Sequence, residues 1–290
     1  MHAFKDKVVV ITGAAGGLGL ALARHAAGLG MRLVLADVDE AALSHACESL
    51  CEQSAPSGTP RVEVIAHCTD VSDPAQVDAL AQAALARYGA VHLLFNNAGV
   101  GAGGLIWENS AQDYQWVFGV NVAGVLNGLR AFVPAMLAQG EGHIINTASV
   151  AGLLAPPALG MYNASKHAVV GLTETLYHDL ALAGGQVHCS VLCPAYFDTG
   201  IADSERTRPH ALRNAAPPTP SQLATHAQLQ KAVKSGKLNA DKIAALTFEA
   251  VRENRFYIIT HPAIAPAIAV RGKDLALARN PTDVYTPPAR

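Results

Sequence analysis

The chain has 290 residues, of which 50% are hydrophobic and only 15% charged, with a formal net charge of −2. This composition suits strands covered by helices on both faces, and the near-neutral balance supplies no field to attract nucleic acid or an anionic membrane surface. No run of about 18 uncharged apolar residues is present and no signal-like apolar stretch precedes the first strand, so a cytoplasmic protein with neither a membrane nor a nucleic-acid partner is expected.

In chain order, the β-branched run 8–12 predicts a strand that passes directly into Thr12-Gly13-Ala14-Ala15-Gly16-Gly17-Leu18-Gly19 and then an alanine- and leucine-rich helix. Strand, glycine turn and helix together make a phosphate cradle, because glycine lets the backbone turn tightly while free N–H groups and the positive end of the helix dipole face the anion. A second strand is predicted over 32–36, ending at Asp37, and an acidic residue about 20 positions beyond the glycines suits the hydroxyls of a nucleotide ribose. The segment 52–60, rich in Ser, Pro and Gly, reads as a surface loop, and a third strand follows at 62–67. A helix is predicted over 73–88 with Ser72 as N-cap and Pro74 near its first turn.

Further strands are predicted at 93–96, 143–147, 186–192 and 256–260, with a helix over 111–137 interrupted near Pro134. Alternation of strands and helices requires parallel pairing with right-handed crossovers, hence a single doubly wound, seven-stranded α/β sheet over 1–290. Tyr162 and Lys166 stand at i and i+4 near the start of a helical run, so they share one face, and an ammonium so placed favours the ionised form of a phenol. Such a pair also occurs by chance on exposed helices. Ser149 stands thirteen residues before Tyr162, at the end of a strand, where open α/β sheets bind ligands.

Together these residues resemble the short-chain dehydrogenase/reductase family over roughly residues 5 to 200. Its Thr-Gly-x-x-x-Gly-x-Gly loop is matched by Thr12, Gly13, Gly17 and Gly19, its acidic residue before the adenine pocket by Asp70, its Asn-Asn-Ala-Gly segment by Asn96 to Gly99, and its Tyr-x-x-x-Lys by Tyr162 and Lys166. The resemblance implies a Rossmann-type fold and a catalytic set of Asn121, Ser149, Tyr162 and Lys166, with Ser149 and Tyr162 touching the substrate. It further implies cofactor contacts from Gly13, Ala15, Gly17, Leu18, Gly19, Asp37, Asp70, Val71, Asn97, Ala98, Gly99, Tyr162, Lys166, Pro194, Phe197 and Thr199. One departure is Pro194-Ala195, where the family has Pro-Gly. The implied chemistry is hydride transfer between a nicotinamide and a secondary alcohol or ketone, with Tyr162 as acid or base, its pKa lowered by Lys166, and Asn121 holding a relay water. NAD is favoured over NADP, because Asp37 would repel a 2′-phosphate and no Arg or Lys follows it nearby.

The uncharged stretch 150–161, with Val100, Leu105, Tyr196 and Phe197, points to a lipophilic alcohol or ketone as the small-molecule partner; packing beneath a lid is the plainer explanation. A non-catalytic dinucleotide-binding protein on the same scaffold is the alternative, although such a protein has no need of Ser149, Tyr162 and Lys166 together. The extended epimerase and dehydratase relatives usually have a differently spaced glycine loop and more chain after residue 200. Residues 200–254, with short helices at 221–233 and 240–252, form either a substrate lid or a surface excursion or oligomer contact. The extension 263–290 lacks a clean pattern and is expected to wrap another subunit or fray. By analogy with relatives that pair through the long helices holding Asn121 and Tyr162, a homodimer or homotetramer is expected. The five cysteines and scattered histidines show no metal-ligand spacing, so the cysteines read as free thiols and no metal is expected.

Overall fold

Val8, Val9, Val10 and Ile11 are all buried, as a strand covered on both faces requires. In the computed structural model, which describes residues 1, 3–53 and 62–285, this strand, β1 (Val8–Thr12), lies inside a parallel sheet, with a neighbour on each side. Its companions are β2 (Arg32–Asp37), β3 (Val64–Cys68), β4 (Leu93–Asn96), β5 (Gly142–Thr147), β6 (Val187–Cys193) and β7 (Tyr257–Ile259). The sheet order is β3-β2-β1-β4-β5-β6-β7. The order reverses between β1, paired with β2 through Thr12 and Ala36, and β4, paired with β1 through Ile11 and Phe95. At such a reversal the loops leave in opposite directions and open a crevice beyond the carboxyl ends of the strands.

The two-residue period of the strands sorts the core into two layers. Val9, Ile11, Leu33 and Leu35 pack with α1 (Gly17–Gly28), α2 (Glu40–Gln53) and α8 (Ala240–Arg252), where Phe248 meets Phe4 edge to face at 5.3 Å. Val8, Val10 and Val34 face the other way, against α3 (Pro74–Tyr88), α5 (Gly124–Gln139) and α6 (Gly160–Leu182). The remaining helices are α4 (Ala111–Phe118), α7 (Pro220–Lys234) and α9 (Ala265–Ala276).

Several local expectations are corrected. The cap of α3 is Asp73, whose carboxylate accepts from the Ala75 N–H, while Ser72 donates its hydroxyl to Asp70 at 2.7 Å. The third strand lies at Val64–Cys68, shifted from 62–67. The helix after Ala111 does not break at Pro134, which sits inside α5 between the buried Phe132 and Met136. The irregularity falls earlier, in a π turn at Gly119–Ala123 around Asn121. Ala111–Gln139 is also long and apolar enough, by length and composition, to cross a membrane. Here it lies along the sheet, with Arg130 bonded to Asp78 at 2.8 Å.

The extension after β7 contains the ordered helix α9. In its last turn Asp274 accepts from the Arg279 guanidinium and the Thr282 N–H, at 2.7 and 2.9 Å, and turns the following chain back on the helix. Residues 52 and 53 of the expected surface loop belong to α2, and the rest of that loop lies outside the described residues.

Candidate active site

Thr12, the last residue of β1, joins the two strands that flank the crevice. Its hydroxyl donates to the Phe95 carbonyl and accepts from the N–H groups of Asn97 and Ala98, at 3.0 and 3.1 Å. The chain then turns at Gly13, whose φ of +65° favours glycine and where an added Cβ would come within 2.9 Å of Ala98 Cα. Gly19 packs its Cα directly on the Gly13 carbonyl. Helix α1 starts after Gly16 with no side-chain cap, whereas α3, α4, α7 and α8 are each capped by a side chain. Its first N–H groups therefore face the crevice without a protein side chain to satisfy them.

Asp37 closes the end of β2, and its carboxylate accepts from the Ala15 N–H at 3.0 Å and the Asp39 N–H at 3.1 Å. One cleft brings together Gly13, Gly17, Leu18, Gly19, Asp37, Asp70, Val71, Asn97, Ala98, Gly99, Ser149, Tyr162, Lys166, Pro194, Phe197 and Thr199. Ala15 and Asn121 do not line it. Ala15 turns its N–H onto Asp37. Asn121 is buried and clamps the Val100 peptide, accepting from its N–H at 2.8 Å, donating to its carbonyl at 2.9 Å and donating also to the Ser165 hydroxyl at 3.0 Å. Gly16 of the glycine turn, Val38, Thr69 and Arg206 also line the cleft, beyond the individual cofactor contacts that the resemblance implies. The first three adjoin expected residues in sequence, and Arg206 falls in the segment 200–254 expected as a lid or surface excursion.

At the floor of the cleft, Ser149 leaves the end of β5 in extended conformation, its hydroxyl accepting from the Ala151 N–H at 3.1 Å. The Ser149 hydroxyl itself donates to the Pro194 carbonyl at 3.4 Å. Lys166 is buried, donates to the Thr147 carbonyl at 3.0 Å and stands 5.6 Å from the centre of the Tyr162 ring. Burial pushes the Tyr162 phenol up to about 12, against the lowering effect of Ser149. Burial likewise brings the Lys166 ammonium down to about 8. The expected depression of the phenol pKa by Lys166 is not seen in the protein alone, where desolvation of the phenolate dominates.

At Pro194-Ala195, Ala195 is not among the described residues of positive φ, so alanine sits there without backbone strain, and its N–H donates to the His261 ring at 3.3 Å. The wall beyond Ser149 and Tyr162 is formed by Val100, Trp116, Leu159, Ile201, Leu229 and Val233. The segment over this wall is held down firmly. Glu108 accepts from the hydroxyls of Thr219 and Ser221 at the start of α7. Arg208 makes a buried ion pair with Asp113 at 2.7 Å and lies over the Trp116 ring at 4.8 Å.

Residues 7–210 match the family model described as short chain dehydrogenase. A CLA biosynthesis dehydrogenase/reductase from Lactiplantibacillus plantarum is 36% identical over 279 residues, covering 94% of each chain. A 1-deoxy-11-beta-hydroxypentalenate dehydrogenase from Streptomyces avermitilis is 33% identical over 264 residues, covering 90% of this chain and 86% of that one. Among solved structures, a short-chain dehydrogenase/reductase from Burkholderia phymatum, crystallised in complex with NAD, is 62% identical with a TM-score of 0.94, over 99% of this chain and 100% of that one. The Gly13–Gly19 cradle, the switch-point crevice and the matches over nearly the whole chain lead to one assignment: the chain belongs to the short-chain dehydrogenase/reductase family of oxidoreductases.

Proposed function

We propose that the protein is an NAD-dependent dehydrogenase or reductase acting on a lipophilic secondary alcohol or ketone. The observation that carries this reading is the meeting of Ser149, Tyr162 and Lys166 at the one point where the glycine-lined half of the cleft joins its apolar half. A dinucleotide fits the first half, because the uncapped start of α1 offers free N–H groups to a pyrophosphate and Gly13 and Gly19 leave no room for side chains. When bound, the nicotinamide supplies the hydride acceptor or donor.

The chain's own residues position the substrate and move the proton. Ser149 holds the substrate oxygen; Tyr162, whose phenol is neutral at pH 7, donates to it in reduction, and the small phenolate fraction takes its proton in oxidation. Lys166 holds a positive charge beside the phenol. Asn121 acts on the site through Val100, whose peptide it fixes at the cleft wall. Asp37 favours NAD, since a 2′-phosphate beside its carboxylate meets like charge. Arg206 is a cation in the same cleft, but its guanidinium is engaged by Asp39.

The relative named for dehydrogenation of a hydroxylated pentalenate supports an alcohol substrate. The apolar lining supports a lipophilic one, with residues 200–254 as its lid and 263–290 as an appended strap on the same domain. Leu126 on α5 and Tyr177 on α6 remain exposed and would be covered in a homodimer or homotetramer. The test is a panel of aryl, alicyclic and long-chain secondary alcohols and ketones, beside phosphorylated and carboxylated analogues, with NAD and NADP. Turnover restricted to charged substrates, or kcat/KM higher with NADP, contradicts the corresponding part of the proposal.

A further inference from the structure

We infer that Arg206 and Asp39 form a latch across the dinucleotide groove and that its opening sets the rate at which the cofactor leaves, an inference that rests on the dinucleotide reading above. Asp39 stands two residues beyond Asp37 in the turn that leaves β2, and Arg206 donates to its carboxylate at 2.7 Å from 167 residues away. Arg206 and Thr199 line the same cleft as Gly17, Asp37 and Val38. The Thr199 side chain lies 3.6 Å from where a Cβ on Gly17 would stand, at the start of α1. The segment between them, a 3₁₀ stretch at Gly200–Thr207 with a kink at Asp203, thus runs over the groove from the phosphate cradle to the β2 turn.

Its two arginines grip opposite walls with unequal strength. The Arg208 and Asp113 side chains are 1% and 4% exposed, so removing either strands a buried charge. The Arg206 and Asp39 side chains are 57% and 29% exposed, and an ion pair so open to water is weak and easily broken. The segment therefore pivots at Arg208 and releases at Arg206. A dinucleotide seated against Asp37 and the glycine turn lies beneath it, and its departure requires the exposed pair to part.

The test is stopped-flow displacement of NADH by excess NAD, followed by nicotinamide fluorescence, in the full-length wild type, Arg206→Gln, Asp39→Asn and the double variant. Asn at position 39 keeps an acceptor for the Ala42 N–H, which Asp39 now binds at 3.1 Å, so α2 retains its start. Each single variant is expected to release NADH about two- to five-fold faster, the range an exposed ion pair spans, and the double variant no faster than either single. Near 1 M salt, where screening extends only about 3 Å, the wild type is expected to approach the variants. Unchanged release in the singles, or fully additive acceleration in the double, overturns the latch while leaving the dinucleotide reading intact. Failure of the wild type to bind NADH or NADPH overturns both.

Discussion

The Lys166 ammonium nitrogen sits 5.6 Å from the centre of the Tyr162 ring and is bonded to the Thr147 carbonyl at 3.0 Å, so one of its three protons is held by the backbone. Burial favours the neutral form of each group, raising the phenol to about 12 and bringing the ammonium down to about 8.

This sets a pH dependence with a definite sign. Reduction of a ketone uses the protonated phenol, which prevails throughout the neutral range. Oxidation of an alcohol needs the phenolate, whose share grows about tenfold per pH unit below the phenol pKa. With cofactor saturating, kcat/KM for oxidation is expected to climb from pH 6 upward and to climb less steeply above about 8, where Lys166 loses its charge. Reduction is expected to stay nearly flat over pH 6 to 8. Steady-state rates in both directions check this, and an oxidation profile falling from pH 6 to 8 contradicts it.

Replacing Asp37 tests the adenosine end of the cleft. Asp37→Ser removes a carboxylate that accepts from Ala15 and Asp39 N–H groups and stands where a 2′-phosphate would meet it. Activity with NAD is expected to fall about tenfold or more, with the ratio of NADP to NAD use rising, since one charge-assisted hydrogen bond contributes about 1.5 to 3 kcal/mol. An unchanged cofactor ratio would show that Asp37 plays no part in selection.

Gly19→Ala tests the cradle itself. The new Cβ would fall 2.7 Å from the Gly13 carbonyl carbon and closer still to its oxygen, with no flexible side chain to yield. Destabilisation of about 3 kcal/mol or more and loss of NADH binding are expected, read from urea unfolding and fluorescence titration.

The ion pair between Arg208 and Asp113 governs the stability of the covering segment. Burial pushes the Asp113 carboxyl up, but the Ser110 N–H, Arg208 and Asn214 outweigh it and hold the group below its ordinary 3.8. Its contribution is therefore present above about pH 4 and lost as pH falls through the lowered value. Arg208→Met is expected to cost about 3 to 5 kcal/mol by stranding the carboxylate, and Arg208→Met with Asp113→Asn much less. Denaturant midpoints for the two variants decide it.

What was legible in the sequence was local. The β-branched run at residues 8–12, the glycine turn and the i, i+4 spacing of Tyr162 and Lys166 carry their geometry in neighbouring residues, so sheet, cradle and site floor could all be read from them. Asn121 was found by motif, but not its partners, because a π turn carries no period of its own and its bonds reach Val100 and Ser165 across the fold. Arg206 escaped for a similar reason, since its contact with Asp39 spans 167 residues. Helix α9 carries Pro266 in its first turn and Gly272 within it, which break up its helical pattern in the sequence.

The most direct test of the account is Tyr162→Phe assayed beside the wild type by absorbance of the reduced nicotinamide, with NADH binding measured separately by fluorescence. The account predicts that NADH still binds while turnover of the best alcohol falls about 10²- to 10⁴-fold, the usual contribution of a positioned acid or base. Turnover retained within a few-fold of the wild type would show that the proton does not pass through Tyr162, and the mechanism proposed here would be wrong.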